Sequence, residues 1–240
     1  MLEPTTVNYK VTDNLYLVRQ PIPKSAAAKP VETPVNHVFI ADVSGSMYGE
    51  IDKVREHIKT KVPKLMKEGD TLSLIAFSGR GQFWRILTAE PVARLTDLTE
   101  VNKAVDRWLR PVGMTGFKEP IEDAAKLIAE VSKTNKNPFS LTFMSDGYEN
   151  QWPQAEVLKA IEKTGQGLSA ATVVSYGNYA DLPFLTKMAE KWGGVLVQSE
   201  NFPKFQPVFD AILQKKVVGG KKVEVQVGGD VIGGFAFGFE

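Results

Sequence analysis

Cysteine is absent from this 240-residue chain, so disulfides, thiolate metal ligands and thiol nucleophiles are all excluded. Histidine is scarce. His37 precedes the first apolar run and His57 lies in a helical pattern, neither beside a nucleophile, and both read as structural or surface residues. Charge of one sign is also lacking: the net charge of +1 argues against a phosphate-neutralising surface, hence against nucleic acid as a partner. No apolar run approaches the length of a membrane span. The opening MLEPTTVNYKVTDNLY has no basic segment and no unbroken apolar core, so it does not read as a signal peptide, and a cytoplasmic location is the default expectation. No glycine-rich phosphate loop and no solenoid-type repeat is present.

What is present is an ordinary globular balance, 43% hydrophobic and 24% charged, at a length that suits one α/β domain with some residues to spare. From about residue 35, short apolar runs alternate with helical patterns. The runs at 38–41, 72–77, 139–144, 170–176 and 195–197 are apolar at nearly every position, as strands covered on both faces should be. Residues 82–87 follow a Gly-Arg-Gly turn and read as a hairpin strand. Between the runs, Ile51, Val54, Ile58, Val62 and Leu65 form an apolar stripe, with a kink expected at Pro63. Further stripes occupy 101–109, 121–128 after Pro120, 157–161 after Pro153, 185–192 between Asp181 and Gly193-Gly194, and 205–213. Alternation of this kind predicts a doubly wound, mostly parallel six-stranded sheet of order 3-2-1-4-5-6 with helices on both faces.

The ends differ. Val7, Tyr9 and Val11 alternate with polar residues, as do Val223, Val225 and Val227; Phe235, Phe237 and Phe239 alternate with small ones. These are half-buried antiparallel strands in prospect. The division expected is therefore 1–34 for N-terminal strands and a Pro-rich linker, 35–216 for the α/β domain, and 217–240 for a β segment. The two ends are expected to pair as a small β-rich appendage, and the abrupt stop at Glu240 suggests a fragment of a longer protein or a sheet completed in an oligomer.

Asp42-Val43-Ser44-Gly45-Ser46 directly follows the first apolar run, and Ser145-Asp146-Gly147 directly follows the one at 139–144. In the predicted strand order these are the ends of the first and fourth strands, neighbours at the switch point where ligands bind in such sheets. Gly113-Met114-Thr115-Gly116 can bring a third hydroxyl to the same crevice, and Gly45 is expected to permit a tight turn. Two carboxylates side by side would repel unless one were protonated or a cation lay between them. The donors are all hard oxygens, which favours Mg²⁺, with Mn²⁺ and Ca²⁺ as alternatives, over Zn²⁺ or copper. Each polar residue taken alone could simply cap a helix or loop; five of them converging is not explained that way.

D-x-S-x-S after the first strand, a loop threonine, and an aspartate after the fourth resemble the metal-ion-dependent adhesion site (MIDAS) of von Willebrand factor type A (vWA) domains. The resemblance spans roughly 35–216 and implies that Asp42, Ser44, Ser46, Thr115 and Asp146 hold the ion directly or through water. Met114 departs from the pattern, since many members carry a glycine there. The absence of cysteine and of a signal favours an intracellular prokaryotic or viral member. The implied function is a non-enzymatic adaptor or assembly module whose metal binds an Asp or Glu of another protein. Intracellular relatives of this type serve chaperone-like ATPases or assembly subunits, and their last helix, here 205–213, shifts on binding.

Two rivals remain. Asp at the end of the first strand also resembles a Mg²⁺-dependent phosphohydrolase of the haloacid-dehalogenase type, but that class needs an acid two positions later, where Ser44 stands. Alternatively the ion is purely structural. Tyr48, Tyr148, Glu149 and Trp152 flank the predicted ion and are expected either to shape its rim or to pack its loops.

Overall fold

The computed structural model describes residues 7–12, 15–19, 33–95, 99–111, 113–177, 180–213, 222–227 and 230–235. The chain divides into two units, residues 1–33 and 34–240. The smaller holds an antiparallel hairpin of β1 (Val7–Thr12) and β2 (Leu15–Arg19).

The larger unit is built on six strands: β3 (Asn36–Asp42), β4 (Thr71–Phe77), β5 (Phe83–Pro91), β6 (Phe139–Ser145), β7 (Ala170–Tyr176) and β8 (Val195–Ser199). Their order across the sheet is β5-β4-β3-β6-β7-β8, the expected 3-2-1-4-5-6, and only β5 runs antiparallel to its neighbour. The continuous apolar runs explain why. Successive side chains of a strand point to opposite faces, so a strand apolar at every position must be covered twice. Val38 and Ile40 enter one core with α5 (Lys118–Val131), α6 (Gln154–Gly165) and α7 (Leu182–Lys191). Phe39 and Ala41 enter the other with α1 (Ile51–Thr60), α2 (Val62–Leu65), α3 (Val92–Leu95), α4 (Thr99–Trp108) and α8 (Phe202–Leu213).

Local signals fare well with two adjustments. Asp181 caps α7, accepting a hydrogen bond from the Phe184 N–H, and the helix runs out into Gly193. The kink expected at Pro63 is instead a break at Lys61, which leaves Pro63 in the first turn of α2, where its missing N–H costs nothing. The last helix starts at Phe202, three residues before the stripe begins, and carries Pro207 inside it. His57 is buried, not at the surface, and its Nε2 lies 2.8 Å from the Asp210 carboxylate, joining α1 to α8.

Near the other end β9 (Lys222–Val227) and β10 (Asp230–Phe235) pair with each other in an antiparallel hairpin. Each end thus forms a hairpin of its own; Phe237 and Phe239 lie outside the described residues. The linker at 20–32 does too.

Gly194 marks how tightly β8 is laid on β7. A Cβ placed there would come 2.2 Å from the Ala171 carbonyl oxygen, a backbone atom that cannot swing away. Gly194→Ala is therefore expected to cost about 1–3 kcal/mol or more, the usual penalty of overpacking. Urea unfolding checks this; a wild-type midpoint would mean that the two strands are not packed as described.

Candidate metal centre

The parallel register sets Ala41 of β3 opposite Met144 of β6, so Asp42 and Ser145 end adjacent strands side by side. Asp42 is fully buried. Its Oδ1 accepts from the Ser44 backbone N–H at 2.7 Å, and its Oδ2 accepts from the Ser145 hydroxyl. Beyond Asp42 the chain makes a short 3-10 turn, Gly45–Met47, which lifts Ser46 to the surface. Ser44 Oγ lies 3.1 Å from Ser46 Oγ, and Ser46 Oγ donates to Asp146 Oδ1 at 2.7 Å. Four of the five expected residues thus form one polar chain from the buried strand end to solvent. Gly45 does not play the part expected of it: it is not among the residues of positive φ, and a Cβ there would make only ordinary contact, 3.6 Å from Gly113 O.

The fifth residue, Thr115, is buried in a third loop, and its Oγ1 lies 3.2 Å from where a Cβ on Gly147 would stand. The loop begins at Gly113, whose φ of +66° is left-handed and whose own Cβ would strike Gln82 Oε1 and Ser78 Oγ. Backbone bonds fix it on every side. Gly113 O accepts from Gly45 N (3.2 Å), Met114 O from Ser78 Oγ (2.8 Å), and Ser78 O from Gly116 N (2.8 Å). Thr115 O accepts from Asn150 N at 3.1 Å. Glu149 completes the brace: its carboxylate accepts from the backbone N–H groups of Phe117, Gln151 and Trp152.

Ser145 and Ser78 support the site without being ligands expected from the sequence. Ser145 is signalled in the sequence as a hydroxyl immediately before Asp146, and the register of β3 and β6 then sets it beside Asp42. Among the four flanking residues, Glu149 and Trp152 pack the loops, Trp152 with the Arg80 guanidinium 3.8 Å and the Lys118 ammonium 4.1 Å from its ring centre, while Tyr48 and Tyr148 stand out in solvent.

Electrostatics tests whether this donor set suits a cation. Among the described residues, no lysine or arginine forms an ion pair with Asp42 or Asp146, and no group of three or more His, Asp or Glu side chains gathers in ligand geometry. Burial pushes the Asp42 carboxyl up to about 7; the hydrogen bonds from Ser145 and Ser44 pull the other way, and the Asp146 charge adds to the rise. Burial also raises Asp146, against the Ser46 hydrogen bond, with the Glu50 charge adding to it. Two carboxylates and three hydroxyls with no cation of their own fit a divalent ion, which would favour the ionised form of both acids.

Without metal, Asp42 holds its proton more tightly folded than unfolded, so stability falls as pH rises from about 4 to about 7. Metal binding, which needs the ionised form, should stabilise the protein more at about pH 8 than at about pH 5. Melting curves in Mg²⁺ and in EDTA at both pH values check this, and an equal metal-induced rise at both would refute it.

Known proteins share this fold. The model of the von Willebrand factor type A domain matches residues 36–211. Inter-alpha-trypsin inhibitor heavy chain H1 of Mesocricetus auratus is 25% identical over 169 residues, 66% of this chain but only 18% of that protein. Among solved structures, a von Willebrand factor type A protein from Catenulispora acidiphila superposes with a TM-score of 0.61 at 20% identity, covering 79% of this chain and 44% of that one. Proximal thread matrix protein 1 of the mussel byssus, solved with a zinc-occupied MIDAS motif, gives 0.58 at 16% identity, covering 76% of this chain and 46% of that one. These structural likenesses speak for the fold, and the match across most of the chain decides the rest: this protein belongs to the von Willebrand factor type A domain family.

Proposed function

We propose that the domain holds one divalent cation, Mg²⁺ in the first instance, through Asp42, Ser44, Ser46, Thr115 and Asp146, and binds the Asp or Glu of another protein there. The observation that carries this reading is the fully buried Asp42, bonded by Ser44 and Ser145 and unpaired with any cation among the described residues, beside Asp146 and an exposed Ser46. An ion in this position supplies a Lewis-acidic site that a carboxylate oxygen can complete. The protein's own residues orient its ligands: Ser145 fixes the Asp42 carboxylate, Ser46 fixes Asp146, Glu149 ties the Thr115 loop to the Asp146 loop, and Ser78 ties it to the end of β4. The zinc-occupied site of the mussel protein supports the general capacity of such domains to take dications. Mn²⁺ and Ca²⁺ are alternatives with the same donor preference.

A binding role is preferred to hydrolysis. Ser44 stands where a phosphohydrolase would need its second acid, so proton transfer would lack its usual group. The partner is proposed to be a protein, either a chaperone-like ATPase or a subunit in an assembly.

Asp42→Ala is expected to abolish Mg²⁺ binding in calorimetry without unfolding the protein. Ser145→Ala should weaken it by about 10–100-fold, as loss of a ligand-orienting partner does. Thr115→Ala should weaken it less than Asp42→Ala, because a neutral hydroxyl contributes less than a carboxylate. Wild-type affinity in Asp42→Ala would sink the assignment.

Binding is also proposed to reach α8. Glu50, four residues beyond Ser46, accepts from the Phe202 N–H at 2.6 Å, and Phe209 of the same helix stacks on Phe39 of β3, their centroids 4.9 Å apart. Movement of the Ser46 loop would pull on the start of that helix. Hydrogen exchange should change across 202–213 when a carboxylate partner saturates the site; equal protection with and without it would count against the coupling.

A further inference from the structure

Among the described residues, the large hydrophobic side chains left exposed are Tyr48 at 83%, Tyr148 at 57% and Met114 at 54%. All three sit on the metal loops, one on each. Tyr48 is two residues past Ser46, Tyr148 two past Asp146, and Met114 immediately before Thr115. Packing does not account for this, since the same loops bury Met47, Thr115 and Phe117. Three loops tied together by backbone hydrogen bonds each present one apolar side chain outward, around a site whose own atoms are polar.

The charged groups nearby are engaged within the chain. Arg80 lies over the Trp152 ring, and Lys118 is bonded to Glu156. Glu50 bonds Phe202 N and Lys53 Nζ, and Glu149 bonds three backbone N–H groups. The polar side chains of Asn150 and Gln151 bond each other. The charge count at the centre points the same way. A dication with ionised Asp42 and Asp146 sums to zero, so it can accept one carboxylate but offers no net positive field to a run of acids.

Resting on the proposed carboxylate-binding reading, we infer that Tyr48, Met114 and Tyr148 select the partner: it is a protein segment bearing one acidic residue flanked by apolar side chains, not an acidic cluster. The flanks cover the three exposed side chains while the single carboxylate reaches the metal. Aromatic and methionine side chains suit this task, because they offer large contact area with few ordered torsions or with adaptable shape.

The test uses short fluorescent peptides and the whole chain, in Mg²⁺ or Mn²⁺ and in EDTA. One peptide carries a single central glutamate between leucine and phenylalanine residues. The controls replace that glutamate by glutamine, replace the flanks by serine, or consist of glutamate alone. Anisotropy should show the apolar-flanked glutamate peptide binding at least about tenfold more tightly than every control, and only with metal present. Combining Tyr48→Ser, Met114→Ser and Tyr148→Ser should erase that preference while leaving calorimetric metal affinity and the metal-induced rise in Tm unchanged, since all three side chains are exposed. Equal binding of the serine-flanked or all-glutamate peptide, or a preference that survives in the triple variant, overturns the inference and leaves the carboxylate reading standing. If metal binds and no glutamate peptide does, the carboxylate reading fails and this inference falls with it.

Discussion

One buried carboxylate organises the functional end of this domain. Asp42 closes the central strand of a sheet covered on both faces, where the only escape from apolar surroundings is along the strand axis toward its carboxyl end. Burying a charge there is costly unless it is hydrogen-bonded and compensated. Two compensations come from within the chain, the Ser44 N–H and the Ser145 hydroxyl, and they raise its acidity again without cancelling the burial. The remainder is what a cation would supply. Asp146 deepens that deficit, because its charge pushes the Asp42 carboxyl further up, whereas the hydroxyls of Ser44 and Ser46 add donors without adding charge.

A site assembled from three loops is only as exact as the bonds between them. Here those bonds are mostly to backbone. Ser78, buried just past the end of β4, uses its hydroxyl and its carbonyl on Met114 and Gly116, either side of Thr115. Glu149 plays the matching role from the Asp146 loop, where its position next to Phe117 N holds the start of α5 in place. Backbone contacts of this kind tolerate changes in the side chains they leave outside. Met114 shows this: its carbonyl accepts from the Ser78 hydroxyl and serves the loop, while its side chain stands exposed.

Much of this was legible in the sequence. Continuous apolar runs gave the doubly covered strands, the turn before residue 82 gave the one antiparallel neighbour, and the placing of Asp42 and Asp146 after the first and fourth strands followed from strand order alone. Supports such as Ser78 and Glu149 were not legible, because their partners are backbone amides on other loops, and no local pattern marks an amide. The ends were harder for a related reason. Alternation at Val7–Thr12 and Lys222–Val227 announces strands but not their partners, and a strand with a neighbour a few residues away closes with it at small entropic cost. Lys61, not Pro63, breaks the first helical stripe because proline disrupts the turn before it while fitting the first turn of a new helix.

Donor hardness alone is a weaker guide to the ion than it first looks. Carboxylate and hydroxyl oxygens favour Mg²⁺, Mn²⁺ and Ca²⁺ over softer metals, yet the mussel-byssus relative was solved with zinc in its MIDAS motif. Geometry and metal supply decide among dications more than affinity does. Charge, by contrast, is common to them all. Any of them would be neutralised by Asp42 and Asp146, and any of them would be left with room for one more anionic oxygen. The exposed Tyr48, Met114 and Tyr148 around it are indifferent to which dication is bound. On the proposed reading, selection of a partner would stay constant while the metal varied, because the ion would contribute the attraction for a carboxylate and Tyr48, Met114 and Tyr148 the choice among carboxylates.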